Sequence, residues 1–212
     1  MSNSTQSAHK VFNLIILDES GSMESIKNTI ISGFNEVVQT VKGVAKEYPE
    51  QAHFITFVTF NSLQIKTLLE NEQVEKLKEI SNREYNPTSG TPLFDAMGNS
   101  ISQLRKITQT HSDYNVLVTI LTDGEENSSK EYNGVTIKKM VDELKQENWT
   151  FTYIGANHDV EKFAAAISIN NIMKFEANEQ DIQKMFSKEK ASRMAYSKKI
   201  RNKEDTGSNF YE

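Results

Sequence analysis

The chain of 212 residues contains no cysteine. Disulfides, thiolate metal sites and cysteine nucleophiles are therefore excluded, and secretion into an oxidising compartment gains no support. No apolar run approaches the roughly 20 residues that a membrane-spanning helix needs. The N-terminal stretch MSNSTQSAHK lacks the basic start and the apolar centre of a signal peptide. We therefore expect a soluble, cytoplasmic protein without a membrane segment.

Basic residues are in the minority, with 24 Lys and Arg against 29 Asp and Glu and a formal net charge of -5 at pH 7. Because broad nucleic-acid binding usually requires a basic surface that neutralises phosphates, no nucleic-acid partner is expected. Residues 188–203 are nevertheless rich in Lys and Arg. A solvated helix face is favoured there over a docking surface for an acidic partner, and a nucleic-acid adaptor is the weakest alternative.

Short apolar runs alternate with longer amphipathic segments along the chain. The predicted strands are 11–18, 53–60, 63–69, 114–123, 150–156 and 171–176. The predicted helices are 25–48, 72–80, a segment that starts at Pro92, 135–148, 159–167 and 181–199. A tight turn at Asn61-Ser62 makes the third strand antiparallel to the second. The order predicts an α/β fold, with a doubly wound, mostly parallel open sheet, one antiparallel edge strand and helices on both faces.

Three polar clusters, DESGS, TSGTP and TDGE, fall at strand ends or helix starts. Ligands of doubly wound sheets bind at the carboxyl ends of the strands, so these clusters are expected to converge there. Asp18, Ser20 and Ser22 alternate on an extended loop, Thr91 adds a neutral oxygen, and Asp123 adds a second carboxylate. Five oxygen donors with two charges suit Mg²⁺, with Mn²⁺ or Ca²⁺ as alternatives, and leave a sixth position open.

The pattern Asp18-x-Ser20-x-Ser22, followed by Thr91 and by Asp123 in TDG, resembles the metal-ion-dependent adhesion site of von Willebrand factor type A (vWA) domains. The resemblance covers residues 11–176 and implies a Rossmann-like sheet with a metal at its top. It also implies that an acidic residue of a partner protein binds to that metal. Because the family pattern places the threonine directly before a helix, Thr91 is preferred over its neighbour Thr88.

The remaining segments and polar residues receive simpler interpretations. Residues 1–10 are predicted to be an N-terminal tail, 177–200 a helical extension, and 201–212 a mobile tail with too little apolar content to fold alone. Asp18 and Ser20 alone could merely cap a helix, and Asp95 is interpreted as a first-turn carboxylate favoured by the helix dipole. Four acidic residues around the site are expected to be solvated, namely Glu19, Glu24, Glu125 and Glu126. The four scattered histidines have no zinc-site spacing.

The sequence therefore predicts a non-enzymatic protein-binding module of bacterial type, acting in an intracellular assembly through a divalent cation. The alternative is a Mg²⁺-dependent phosphatase or phosphotransferase of the aspartyl type, which would use Asp18 as nucleophile. The second aspartate usual in such enzymes is replaced by Ser20. No P-loop and no G-x-S-x-G elbow with convincing triad partners occurs, which favours binding over catalysis.

Overall fold

A computed structural model describes residues 8–212 and contains one six-stranded sheet in the order β3-β2-β1-β4-β5-β6. The strands are β1 (His9–Asp18), β2 (Gln51–Asn61), β3 (Gln64–Gln73), β4 (Tyr114–Thr122), β5 (Trp149–Gly155) and β6 (Asn171–Lys174). All neighbouring strands are parallel except β2 and β3, which form an antiparallel pair at one edge. The predicted fold class is confirmed.

Five helices cover the two faces of the sheet. They are α1 (Lys27–Glu47), α2 (Leu93–Thr108), α3 (Gly134–Leu144), α4 (Val160–Ala166) and α5 (Glu179–Asn202). Residues of β1 alternate between two apolar cores, Val11 and Ile15 facing α1 and α5, and Phe12 and Leu14 facing α2 and α3. Burial on both faces explains why β1 is almost continuously apolar, as expected of a central parallel strand. None of the described helices is long and apolar enough to cross a membrane.

The segment after β3 differs from the predicted helix over residues 72–80. Strand β3 continues to Gln73, and only a single 3-10 turn, Val74–Lys76, follows it. Val74, Leu77 and Ile80 are all buried in the core beside α1. Their three-residue spacing fits a helix, but an irregular chain places the same side chains against the core, so the prediction was wrong.

The C-terminal residues, predicted as a helical extension and a mobile tail, pack against the domain. Helix α5 lies on α1, where the ring of Phe186 occupies the space that a Cβ on Gly33 would need. Near the end of the chain, Phe210 and Tyr211 are only 4% and 7% exposed. These two aromatic side chains dock the segment together with hydrogen bonds such as that from the Phe210 N–H to the side chain of Asn171, although its average composition is polar.

A buried polar network links α5 to the sheet and to the C-terminal segment. Arg193 Nε donates to Glu189 Oε1 at 2.8 Å, and both side chains are almost fully buried. The two other guanidinium nitrogens donate to Asn13 on β1 and Thr119 on β4, at 3.2 and 2.7 Å. Tyr211 donates to the second oxygen of Glu189 at 2.9 Å. One face of this basic helix is therefore neutralised inside the protein rather than solvated.

Candidate metal site

The candidate site lies at the carboxyl ends of the two central strands. Leu17 of β1 pairs with Leu121 of β4 in parallel register, so the residues that follow them, Asp18 and Thr122, end side by side. Each strand continues directly into a polar loop. The sheet therefore fixes the first carboxylate of the predicted set at its upper edge.

Asp18 is fully buried and both of its carboxylate oxygens accept hydrogen bonds. Oδ1 accepts from the backbone N–H of Ser20 at 2.7 Å, and Oδ2 accepts from the hydroxyl of Thr122 at 2.6 Å. The hydroxyl of Tyr85 holds the Asp18 carbonyl at 2.7 Å. Ser20 precedes a 3-10 helix, Gly21–Ile26, but its side chain makes no capping hydrogen bond. The helix-capping interpretation of this pair therefore gains no support.

Two serine hydroxyls connect this loop to Asp123. Ser20 Oγ and Ser22 Oγ are 3.2 Å apart, and Ser22 Oγ donates to Asp123 Oδ1 at 2.6 Å. Asp123 is 1% exposed, and its other oxygen, Oδ2, is buried with no hydrogen-bond partner within residues 8–212. An unpaired buried carboxylate oxygen is costly, and it marks a place where a cation would be stabilising.

The hydroxyls of Thr91 and Ser22 both lie beside Gly124, the residue after Asp123. A Cβ built on Gly124 would meet Ser22 Oγ at 3.4 Å and Thr91 Oγ1 at 3.5 Å. Asn127 clamps Thr91 through two bonds, accepting from its N–H at 2.9 Å and donating to its carbonyl at 3.1 Å. Thr91 is 3% exposed, whereas the competing Thr88 is exposed. All five predicted residues are thus brought together, and Thr88 faces solvent.

The two carboxylates lie in a buried environment that disfavours their negative charge. Burial raises the pKa of Asp18 to about 6, against the lowering effect of its hydrogen bonds to Thr122 and Ser20. Burial also raises the pKa of Asp123. Neither carboxylate pairs with a basic side chain of the described residues. The donor set, two carboxylates and three hydroxyls, fits a hard divalent cation.

The candidate site differs from a metal site built from acidic and histidine side chains alone. Groups of three or more His, Cys, Asp or Glu side chains that could hold a metal ion do not occur in this part of the chain. A cation held at the carboxyl ends of β1 and β4 would depend on hydroxyl oxygens as well as carboxylates.

Two acidic residues outside the predicted set of metal ligands, Glu126 and Asp95, hold the loop after Asp123 in place. Glu126 was expected to be solvated, but its carboxylate accepts from the backbone N–H groups of Phe94, Ser128 and Ser129, at 2.8 Å each. The carboxylate of Asp95 closes the next part of the loop. It accepts from three consecutive backbone N–H groups at 2.8 to 2.9 Å, those of Lys130, Glu131 and Tyr132. The loop is therefore anchored to the start of α2, beside Thr91.

Glu19 also differs from its expected solvated state. It is 4% exposed, and its Oε1 accepts from the backbone N–H of Asn86 at 2.6 Å. Its Oε2 is buried without a hydrogen-bond partner among the described residues. Glu24 and Glu125, in contrast, are exposed as predicted. The contacts of Glu19, Glu126 and Asp95 join segments that are distant in sequence. Of the three, only Asp95 could be assigned a role from the sequence, because it lies at the start of a predicted helix.

Comparison with known proteins identifies relatives of this fold. The family model described as von Willebrand factor type A domain matches residues 14–200 and so includes most of α5. Two crystal structures of proximal thread matrix protein 1 from the mussel byssus are similar, each with a TM-score of 0.56. Their sequence identities are 12% and 13%, and the matches cover 89% and 85% of this chain. They cover only 46% and 45% of the mussel chains, so the chain spans about half the length of that protein.

A third similar structure is the vWA domain of SpRpn10, with a TM-score of 0.53 and 12% identity. That match covers 84% of this chain and 94% of the other. No curated protein matches the sequence. At these identities the structural likeness shows the fold alone.

Proposed function

Since the chain belongs to the von Willebrand factor type A family, whose members are generally protein-interaction modules, we propose that it is a non-enzymatic module that binds a partner through a divalent cation. Asp18, Ser20, Ser22, Thr91 and Asp123 would hold the cation, with Mg²⁺ as the proposed ion and Mn²⁺ or Ca²⁺ as alternatives. The partner would contribute an acidic side chain. The chain would act in the cytoplasm as part of an intracellular assembly.

The observation that carries this proposal is the buried Oδ2 of Asp123, which has no hydrogen-bond partner among residues 8–212. The other oxygen of this carboxylate accepts from Ser22, and the hydroxyl of Thr91 lies next to the adjacent Gly124. A bound divalent cation supplies a positive centre that offsets the two carboxylate charges and attracts a further carboxylate. Asp18 orients the loop through Ser20, and Asp123 orients Ser22. Because two of the five donors are anionic and three are neutral, the cation would keep its attraction for an anionic partner group.

The contacts of Asp18 favour binding over the alternative of an aspartyl phosphatase. A nucleophilic carboxylate needs an oxygen that can reach a substrate. Asp18 is 0% exposed, and its oxygens accept from Ser20 and Thr122. The side chain is thus occupied in holding the loop, which supports a role in arranging the site over a role as nucleophile.

The exchange of Thr91 for valine tests the proposal, because valine keeps the shape of the side chain and removes only the hydroxyl. We expect Thr91→Val to weaken Mg²⁺ or Mn²⁺ binding by about tenfold or more, the loss of one good ligand interaction. Calorimetric titration would measure the affinity. Thr88→Val, which alters the exposed threonine of the same loop, is the matched control and should bind the cation as the wild type does.

The partner side of the proposal is tested by capture from an extract of the source cells with Mg²⁺ or with EDTA. A partner retained by the wild type and Thr88→Val in Mg²⁺, but lost with EDTA and with Thr91→Val, is the expected result. Equal cation affinity of the two valine variants would refute the assignment of the site. Capture that is indifferent to EDTA would refute a cation-mediated contact.

A further inference from the structure

The turn between β2 and β3 presents an exposed leucine at the same edge of the sheet as the candidate metal site. Leu63 is 73% exposed, and within residues 8–212 only Val135 and Met194 share its class of large, exposed apolar side chains. A single exposed leucine is ordinary on a protein surface and by itself needs no explanation. Leu63 differs because its turn is fixed by hydrogen bonds and lies next to the loop that carries Thr91.

The turn that carries Leu63 is held rigidly. The side-chain carbonyl of Asn61 accepts from the backbone N–H groups of Leu63 and Gln64, at 3.0 and 3.1 Å. The side-chain amide nitrogen of Asn61 donates to the backbone carbonyl of Glu19 at 3.4 Å, and Glu19 lies between Asp18 and Ser20. Because these bonds fix the backbone of the turn, little conformational entropy remains to be lost when a partner contacts Leu63.

The same turn is joined to the loop that carries Thr91. The N–H of Ser62 donates to the carbonyl of Gly90 at 2.9 Å, and the N–H of Gly90 donates to Ser62 Oγ at 3.0 Å. Leu63 and Thr91 are the immediate neighbours of these two bonded residues. With consecutive Cα atoms about 3.8 Å apart, the Cα atom of Leu63 therefore lies at most roughly 13 Å from that of Thr91. An extended peptide covers such a distance in no more than about four residues.

Two exposed acidic residues also follow the proposed ligands closely in sequence. Glu24 and Glu125 are exposed, and each lies two residues beyond a proposed ligand, Ser22 and Asp123. A second acidic residue of the partner would be repelled there. The surroundings thus favour one isolated carboxylate with an apolar neighbour over an acidic run.

We propose that Leu63 is a specificity-determining contact, and that the partner presents a single acidic residue with an apolar side chain two or three positions away. The inference rests on the proposed cation-mediated function and adds to it the chemistry of the partner segment. The acidic side chain would reach the cation, and the apolar side chain would cover Leu63. Burial of part of this leucine would then contribute to affinity and discriminate between partners.

Labelled synthetic peptides test the inference, each with one Asp among Gly and Ser residues. One pair carries Leu three positions before or after the Asp, and matched peptides carry Ser in place of Leu or Asn in place of Asp. Fluorescence anisotropy in Mg²⁺ and in EDTA would measure their binding to the wild type, Leu63→Ser and Val135→Ser. Val135→Ser is the matched control because Val135 is similarly exposed on a different element.

We expect the wild type to bind an Asp-and-Leu peptide about tenfold more tightly than its Ser counterpart, in line with burial of part of one leucine side chain. Leu63→Ser should lose this preference, and Val135→Ser should keep it, while calorimetry finds the same Mg²⁺ affinity for all three proteins. Mg²⁺-dependent Asp binding without a preference for Leu, or an unchanged preference in Leu63→Ser, would overturn the inference and leave the proposed function intact. Absence of any Mg²⁺-dependent, Asp-dependent binding would overturn both.

Discussion

The domain contains two buried polar centres, and they are built on opposite principles. Around Arg193 and Glu189 every charge has a partner, and the guanidinium and the carboxylate neutralise each other. At the carboxyl ends of β1 and β4, Asp18 and Asp123 have only hydroxyl and amide partners among residues 8–212, and one oxygen of Asp123 has no partner there. The charges of the first, complete centre are therefore balanced within the protein alone, whereas those of the second, incomplete centre, by our proposal, are balanced by a bound cation.

Breaking the complete centre should produce the largest effect. Arg193→Met leaves the carboxylate of Glu189 buried without its partner, and removal of one member of a buried ion pair typically costs about 3 to 5 kcal/mol. Urea unfolding would measure the loss in the free energy of unfolding.

The double variant Arg193→Met with Glu189→Gln is the control for this prediction. It removes both charges, while the introduced amide can still accept the hydrogen bond from Tyr211, so it should be clearly more stable than Arg193→Met alone. If the two variants were equally unstable, the unpaired charge would not be the cause of the loss.

His53 offers a second way to disturb the complete centre, by adding a charge to it. The ring is buried, and burial first, then the charge of Arg193, lower its pKa to about 4. His9 also lowers this pKa, whereas Glu50 raises it. Since the folded pKa lies below the ordinary value of 6.5, protonation disfavours the folded state. His53 therefore leaves the free energy of unfolding unchanged above pH 6.5 and lowers it as the pH falls from 6.5 toward 4.

The size of this effect follows from the shift of the pKa. The fall from 6.5 to about 4 corresponds to about 3 kcal/mol of unfolding free energy at the acid end. Urea unfolding of the wild type and His53→Gln between pH 7 and pH 4 would measure it, with the difference between the two curves isolating His53. Parallel curves would contradict the prediction.

The incomplete centre should respond in the opposite way to the loss of a charge. In EDTA, Asp123→Asn should unfold within about 1 kcal/mol of the wild type, since it removes a buried carboxylate that has no cationic partner. At an Mg²⁺ concentration about 100 times the dissociation constant, the wild type should gain about 2.7 kcal/mol and Asp123→Asn almost nothing. Thermal unfolding with and without Mg²⁺ would check both statements. A severe loss of stability in EDTA would mean that Asp123 is chiefly a structural residue.

The sequence allowed the central sheet and the five proposed ligands to be predicted, because both depend on short-range patterns. Burial on both faces makes β1 and β4 rich in aliphatic residues along most of their length, which is visible in the chain itself. The hydroxyls and carboxylates at the strand ends are equally visible. The parallel register of β1 and β4 explains why the Asp18 and Asp123 segments meet, whereas Thr91 comes from the loop before α2.

Long-range contacts escaped the sequence-based interpretation. Arg193 belongs to a basic segment, and nothing near it in sequence indicates that Asn13 and Thr119 will accept from its guanidinium. Glu126 was predicted to be one of several solvated acidic residues, yet its carboxylate accepts hydrogen bonds from three backbone N–H groups. In each case the partner that changes the environment lies in another segment or in the backbone, which composition does not reveal.

The placement of Asp18 and Thr122 at the ends of paired central strands has a consequence for selection among ions by size. The spacing of these two residues is set by the sheet, which is packed on both faces and resists expansion. Ser22 and Thr91 lie outside the sheet, so they are donors whose positions the sheet itself does not fix. A larger ion such as Ca²⁺, with its longer oxygen distances, would therefore have to displace these segments, while the smaller Mg²⁺ could be held with the sheet unmoved.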